Sequence, residues 1–368
     1  MDTPTRNEEA ITEAFDPDSP TSGIQEAIDA LEERGGCVRI PAGDDGRLQL
    51  ARGRKPRVTT MTELPNGFKK NVLKNFGDRG RDWIPRFPDI LEECRARWRL
   101  TLGAPMEDLS INYVTFAKTE TGEEVVLKIG VPHREMETEI EALQIYNGRR
   151  MVRCLDADLR LGAILLKRIT PGRMLKNLGN NRQEAQIAAR LMKELPVPAP
   201  EEHYLPTFAQ WTTKAFRRTR EAFGPEGGPL PVVLLDQAEQ AFKGIQDSGR
   251  KAVLLHGDLH HENILYDEER GWTAIDPKGV IGDPCLEVGR YLHNQLPRDM
   301  PLREKERRID ERVEILSSEL GECEQRIRSC GFVDLILALC WSVEEISEDE
   351  GFQNGVAIAR LLGREAGS

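Results

Sequence analysis

The stretch His256-Gly-Asp258-Leu-His-His-Glu-Asn263 gathers more chemistry than any other part of the chain. It lies between two apolar runs of strand length, AVLL and ILYD, so its polar side chains belong to a short loop held at both ends. An aspartate held this way can take a proton from a hydroxyl, and the asparagine beyond it offers an amide oxygen to a hard cation. A further carboxylate, Asp276, stands thirteen residues past Asn263 in WTAIDPKG. The intervening ILYD-EERG-WTAI predicts a hairpin, which would return Asp276 to the side of Asn263. Two oxygen donors on adjacent strands suit Mg²⁺, which keeps few protein ligands and fills its shell with water or phosphate oxygens. Lys128, in the apolar strand EEVVLKIG, adds a cation where lysine is rarely buried without a partner. The helix that follows supplies candidate partners. Glu139, eleven residues on, precedes the apolar Ala142, Leu143 and Ile145, and Glu135 and Glu141 are alternatives. A base, two hard-cation donors and a lysine for oxyanions are the residue types that handle phosphate groups.

These residues need elements to position them. LPNGFKKNVLKNFG places Phe68, Val72 and Phe76 on one helix face that Gly77 can end, and DWIPRFPDILEECRARWRLTLG predicts a second helix. INYVTFAKT and EEVVLKIG flank ETGEE as a hairpin, PHREMETEIEALQIYNG is a helix, and MVRCLDAD and LGAILLKRI are two further strands. From about Pro171 the pattern is mainly helical, interrupted by the strand-rich island that carries the first motif.

Composition narrows the class of protein. The chain has 368 residues, a length for two or three domains, and its 51 basic and 62 acidic residues give a net charge of −11. Such an acidic chain is a poor partner for nucleic acid. No apolar run approaches the about 18 residues of a membrane span, and the first residues lack the basic start and apolar core of a secretory signal. Seven cysteines, an odd number without CxxC spacing, argue against a disulfide framework and predict a reducing, cytoplasmic setting. Residues 1–60 stand apart as an appendage. IQEAIDALEERGGCVRIPAG resembles the opening segment of right-handed parallel β-helix proteins, no further coils follow, and ARGRKPRVTT reads as a linker.

His256, Asp258 and Asn263 have the spacing of kinase catalytic loops. HGDLHHENIL followed by AIDPKG resembles the aminoglycoside phosphotransferase superfamily. LPNGFKKNVLKNFG, ECRARWRLTLG, LSINYVTFAK, LLKRITPG, IGDPCLEVGRYLHN and WSVEE, in this order, resemble more narrowly the aminoglycoside/hydroxyurea antibiotic resistance kinases, the streptomycin 6-kinase group. The resemblance implies an α+β, protein kinase-like two-lobed fold: a β-rich N-lobe with a helical prefix over 61–170 and a helical C-lobe over 171–368. It implies ATP and Mg²⁺ as cofactors and a small-molecule hydroxyl acceptor of cationic character. Asp258 would be the catalytic base, Asn263 and Asp276 the magnesium ligands, and Lys128 with Glu139 the phosphate-positioning pair. Backbone groups of Lys167 and Ile169 would hold adenine at the interlobe hinge. No GxGxxG is present, so backbone NH groups and Ser110 would cover the nucleotide. Glu344 and Glu345, in an acidic stretch that departs from the family pattern, and His261, beside His260, would meet the substrate. Asp283 and Glu287 would brace the catalytic loop by capping a helix.

Overall fold

The computed structural model describes residues 64–224, 228–346 and 350–364. The chain divides into two units at Thr60/Met61, and the described residues belong to the second. The helix and strand expected within residues 1–60 lie outside the described residues.

Helix α1 (Asn66–Arg97) bends at Gly77, whose φ of 54° and ψ of −125° leave the helical region. That break fulfils the expectation of two successive helices. Its C-terminal half is shorter than expected, because Thr101–Pro105 is not helix but the edge strand β1. The sheet continues with β2 (Tyr113–Lys118), β3 (Glu124–Ile129), β4 (Cys154–Asp158) and β5 (Ala163–Lys167), in the antiparallel order β1-β2-β3-β5-β4. Helix α2 (Arg134–Tyr146) connects β3 to β4.

Alternation along β3 decides where the lysine goes. Val125, Leu127 and Ile129 enter a cluster with Phe68, Val72, Trp83 and Phe87 of α1. The residues between them face the opposite side, where Met136, Ile140 and Leu143 of α2 pack with Ile164 and Leu166 of β5. Lys128 is one of these in-between residues and so is delivered to α2.

The remaining elements are mostly helical. Strand β6 (Pro171–Met174) leads to α3 (Asn181–Glu194), the short β7 (Val197–Pro198), α4 (Phe208–Phe223) and α5 (Val232–Asp247). Then come β8 (Val253–Leu255), β9 (Ile264–Asp267), β10 (Gly271–Ala274) and β11 (Val280–Gly282), and after them α6 (Val288–His293), α7 (Leu302–Leu320), α8 (Glu324–Ile346) and α9 (Glu350–Gly363). Helix α8 is apolar and touches α4, α5, α6, α7 and α9, which makes it the central post of this half. β9 and β10 form the expected hairpin, with Gly271 opposite Asp267 and Ala274 opposite Ile264. Among the described residues no helix is long and apolar enough to cross a membrane.

Candidate active site

The hairpin sets the metal-type donors side by side. Asn263 ends a single 3₁₀ turn immediately before β9, and Asp276 lies two residues past β10. The Ile275 amide donates to Asn263 O at 2.9 Å, which ties the two segments just beyond the hairpin. Asn263 donates through Nδ2 to Asp258 O at 3.0 Å and lies 3.3 Å from His260 Nε2. Both contacts use its nitrogen, so the amide oxygen is the end left for a cation. Asp276 has a left-handed φ of 61°, which aspartate tolerates better than most residues.

Lys128 Nζ donates to Glu139 Oε1 at 2.7 Å and Oε2 at 2.8 Å, and it also pairs with Asp276 Oδ1. This resolves the choice of partner. Glu135 instead meets Lys278 at 3.2 Å, and Glu141 accepts from the Tyr204 amide at 3.1 Å. Burial alone would lower the Lys128 ammonium, but Asp276 and Glu139 outweigh it and hold its pKa above the usual lysine value. The same charge holds the Asp276 carboxyl well below the usual range, against its burial. A cationic lysine and an anionic aspartate are therefore present together, charges suited to phosphate oxygens and to a hard cation.

The loop that carries Asp258 is fixed from beneath. His256 is fully buried, lies with Nε2 2.8 Å from Ile275 O, and accepts the Asp258 amide at Nδ1, 3.2 Å away. An acceptor Nδ1 places the proton on Nε2, which donates to the carbonyl. Burial pushes this imidazole down to about 4, so it is neutral. Glu287 accepts the amides of His256 at 2.7 Å and Gly257 at 3.2 Å. It braces the loop as expected, but by holding loop amides rather than by capping. Asp283 does cap, receiving the Cys285 amide at 2.9 Å.

Asp258 itself opens on a cavity of about 530 Å³, lined also by His260, Arg290, His293 and residues 294–297. Arg290 Nε stands 3.1 Å from Asp258 Oδ1 and 3.6 Å from Asp334 Oδ2. His293 Nε2 lies 2.8 Å from the same Asp334 oxygen. Arg312, fully buried, donates to the carbonyls of Tyr291, Leu292 and Asn294 and so fixes the end of α6 that forms the cavity rim. The α6–α8 approach depends on Gly289, where a Cβ would fall 2.4 Å from Asp334 Cβ. Gly289→Ala should therefore destabilise the protein by about 1–3 kcal/mol, the usual cost of overpacking. Thermal or denaturant melting checks this, and an unchanged midpoint would mean that the helices part freely.

His261, expected to meet the substrate, is turned away from the cavity. It is fully buried, stacked on Tyr291 at 4.3 Å, with Nδ1 2.7 Å from Asn294 Oδ1. The stacked Tyr291 ring and Arg312 hold His261 inward. Of the two adjacent histidines, His260 is the one that lines the cavity. Ser110 is exposed, and its carbonyl accepts from Asn71 Nδ2 at 3.2 Å. Lys167 closes β5 with its amide given to Arg153 O at 2.9 Å, while Ile169 is buried just beyond the strand. Glu344 and Glu345 fall near the end of α8, and their side chains lie outside the described residues. Sequence reasoning missed Arg290, His293, Asp334 and Lys278. The one signal for the last was its place two residues after Asp276.

Comparison with known proteins agrees with this geometry. The sequence pattern of the family described as aminoglycoside/hydroxyurea antibiotic resistance kinase matches residues 97–344. A streptomycin 6-kinase of Streptomyces glaucescens is 27% identical over 299 residues, 78% of this chain and 93% of that protein. A hydroxyurea phosphotransferase of Kitasatospora aureofaciens is 29% identical over 317 residues, 84% of this chain and 89% of that protein. In structure, the choline kinase LicA from Streptococcus pneumoniae aligns with a TM-score of 0.54 at 15% identity, covering 75% of this chain and 99% of that one. That likeness bears on the fold alone: a β-sheet N-lobe and a helical C-lobe, as expected.

Proposed function

Because the chain belongs to the aminoglycoside/hydroxyurea antibiotic resistance kinase family, we propose that it transfers the γ-phosphoryl group of ATP to a hydroxyl of a streptomycin-type aminoglycoside and so confers resistance. It is a phosphotransferase that acts on a hydroxyl group. The observation that carries the reading is the convergence of Lys128, its carboxylate partners and Asp258 on the β9–β10 hairpin. Asn263 and Asp276 would hold Mg²⁺, with the remaining positions left to phosphate and water oxygens. Bound there, the ion would offset phosphate charge in a reaction whose loose transition state depends on positioning and electrostatics. Lys128 would steady the phosphates, and Asp258 would orient the acceptor hydroxyl and take its proton. Backbone groups near Lys167 and Ile169 would hold adenine, and the turn at Ser110 would cover the phosphates. The six described cysteines are unbridged, which supports a reducing, cytoplasmic setting.

A second reading concerns the acceptor. Among the described residues Asp258 is the one carboxylate lining its cavity, which also carries Arg290 and His293. That wall favours a small neutral hydroxyl compound, such as the hydroxyurea named for the relative from Kitasatospora aureofaciens. An acceptor panel decides. ADP release should depend on streptomycin and match phosphorylated product one for one. Turnover with hydroxyurea but not streptomycin would favour the second reading. Nucleotide binding without turnover on any acceptor would reduce the protein to a nucleotide-binding scaffold.

A further inference from the structure

Two charges, the buried Asp334 and the partly buried Arg290, stand behind the base with no role in the chemistry described so far. Asp334, on α8, is 4% exposed, and its Oδ2 meets both His293 at 2.8 Å and Arg290 Nε at 3.6 Å. Arg290, on α6, reaches past it to Asp258 Oδ1 at 3.1 Å. Neither carboxylate aligns with Nε for a hydrogen bond. Catalytic hydrogen bonds in unliganded enzymes are often poorly aligned and tighten when substrate binds. Burying an arginine is unfavourable unless it is paired, and here the pairing comes from one carboxylate for structure and one for chemistry. The other oxygen of Asp258 has a weaker neighbour: His260 Nε2 is 3.9 Å from Oδ2.

We propose that Arg290, anchored by Asp334 and His293, is a positioning residue that occupies Asp258 Oδ1 and leaves Oδ2 to receive the acceptor hydroxyl. This rests on the phosphotransferase reading above. In the step itself the acceptor oxygen forms a bond to the γ-phosphorus. The bond from that phosphorus to the bridging oxygen of ATP breaks, ADP leaves with its electron pair, and the hydroxyl proton passes to Asp258 Oδ2. A carboxylate free to rotate would present either oxygen at varying angles, and small misplacements at the reacting centre are expensive in rate. Helix α6 supplies both the guanidinium and the cavity wall, so the base and the acceptor pocket share one rigid support.

The test uses the full chain with ATP and streptomycin, and in parallel the slow ATP hydrolysis in which water takes the acceptor's place. Arg290→Met should lower kcat by about 10²-fold, in the range of a compromised general base, with KM for ATP within about twofold of wild type. Arg290→Lys, which keeps the charge but not the reach, should recover part of that loss. Asp334→Asn should show the same split between kcat and KM, more weakly. The decisive variant is Asp258→Asn/Arg290→Met. If Arg290 acts through Asp258, the double variant is no slower than Asp258→Asn alone. A further full loss in the double variant, or wild-type kcat in folded Arg290→Met, would overturn the proposal. Near-wild-type rates in Asp258→Asn would instead overturn the base assignment, a distinguishable failure.

Discussion

Asp258→Asn should lower kcat by about 10²–10⁴, the usual loss on removing a general base, and leave ATP affinity within about twofold. The change keeps the side chain's shape but removes the charge that orients and deprotonates the acceptor. The nucleotide contacts assigned to Lys128, Glu139, Asn263 and Asp276 do not include the Asp258 carboxylate. Its backbone amide and carbonyl, bound by His256 and Asn263, are unaltered by the substitution. The wild-type enzyme should also show an acid limb that the variant lacks. Burial raises the Asp258 pKa above the usual aspartate value, and Arg290, His260 and Lys278 only partly oppose it. If Asp258 is the base, its ionised form is the active one, and rate should fall as pH drops through this raised pKa, at a higher pH than for an exposed aspartate. Steady-state kinetics across pH, with calorimetry for ATP, check both parts. Residual activity above a tenth of wild type would assign the base elsewhere.

How far the site was legible in the sequence follows from how local each feature is. Asp258, Asn263 and Asp276 share one hairpin, and turn chemistry with two apolar runs is enough to bring them together. Lys128 was legible because β-strand alternation sends it away from Leu127 and Ile129 and toward the next helix. Glu139 was the first choice of partner, but the residues alone left Glu135 and Glu141 open, since Glu135 and Glu139 are four apart on one helix face. The difference is depth: Glu139 is buried, whereas Glu135 reaches out to Lys278. Arg290 and Asp334 come from helices that no motif links, and only the packing allowed by Gly289 makes them neighbours. The inward turn of His261 was hidden for a related reason. Which of two adjacent histidines turns inward is decided by Tyr291 and Arg312, far along the chain. The strand at Thr101–Pro105 was hidden because an edge strand pairs on one side only and shows weak alternation; its burial runs mostly exposed.

Lys128→Met should reduce both stability and productive use of ATP, and a second substitution separates the two. The lysine and Glu139 side chains are each 9% exposed, so removing the ammonium strands the Glu139 carboxylate in the interior. Breaking a buried pair this way costs about 3–5 kcal/mol, most of it the desolvated charge left behind. Asp276, whose side chain is 43% exposed, can turn to water and adds less. Glu139→Gln in the Lys128→Met background removes the stranded charge and should restore much of the melting temperature. It should not restore kcat/KM for ATP, which falls by about 10²–10³ when a preorganised electrostatic contact to the reacting group is lost. Stability and activity thus move apart in the double variant, with strong non-additivity in the stability cycle. Glu135→Gln is the control, because its pair with Lys278 leaves the glutamate 65% exposed, and such pairs are worth about 1 kcal/mol or less. Additive melting shifts for Lys128 and Glu139 would mean that the pair contributes no net coupling. Recovery of ATP turnover together with stability would show that Lys128 supports the fold and does not meet the phosphates.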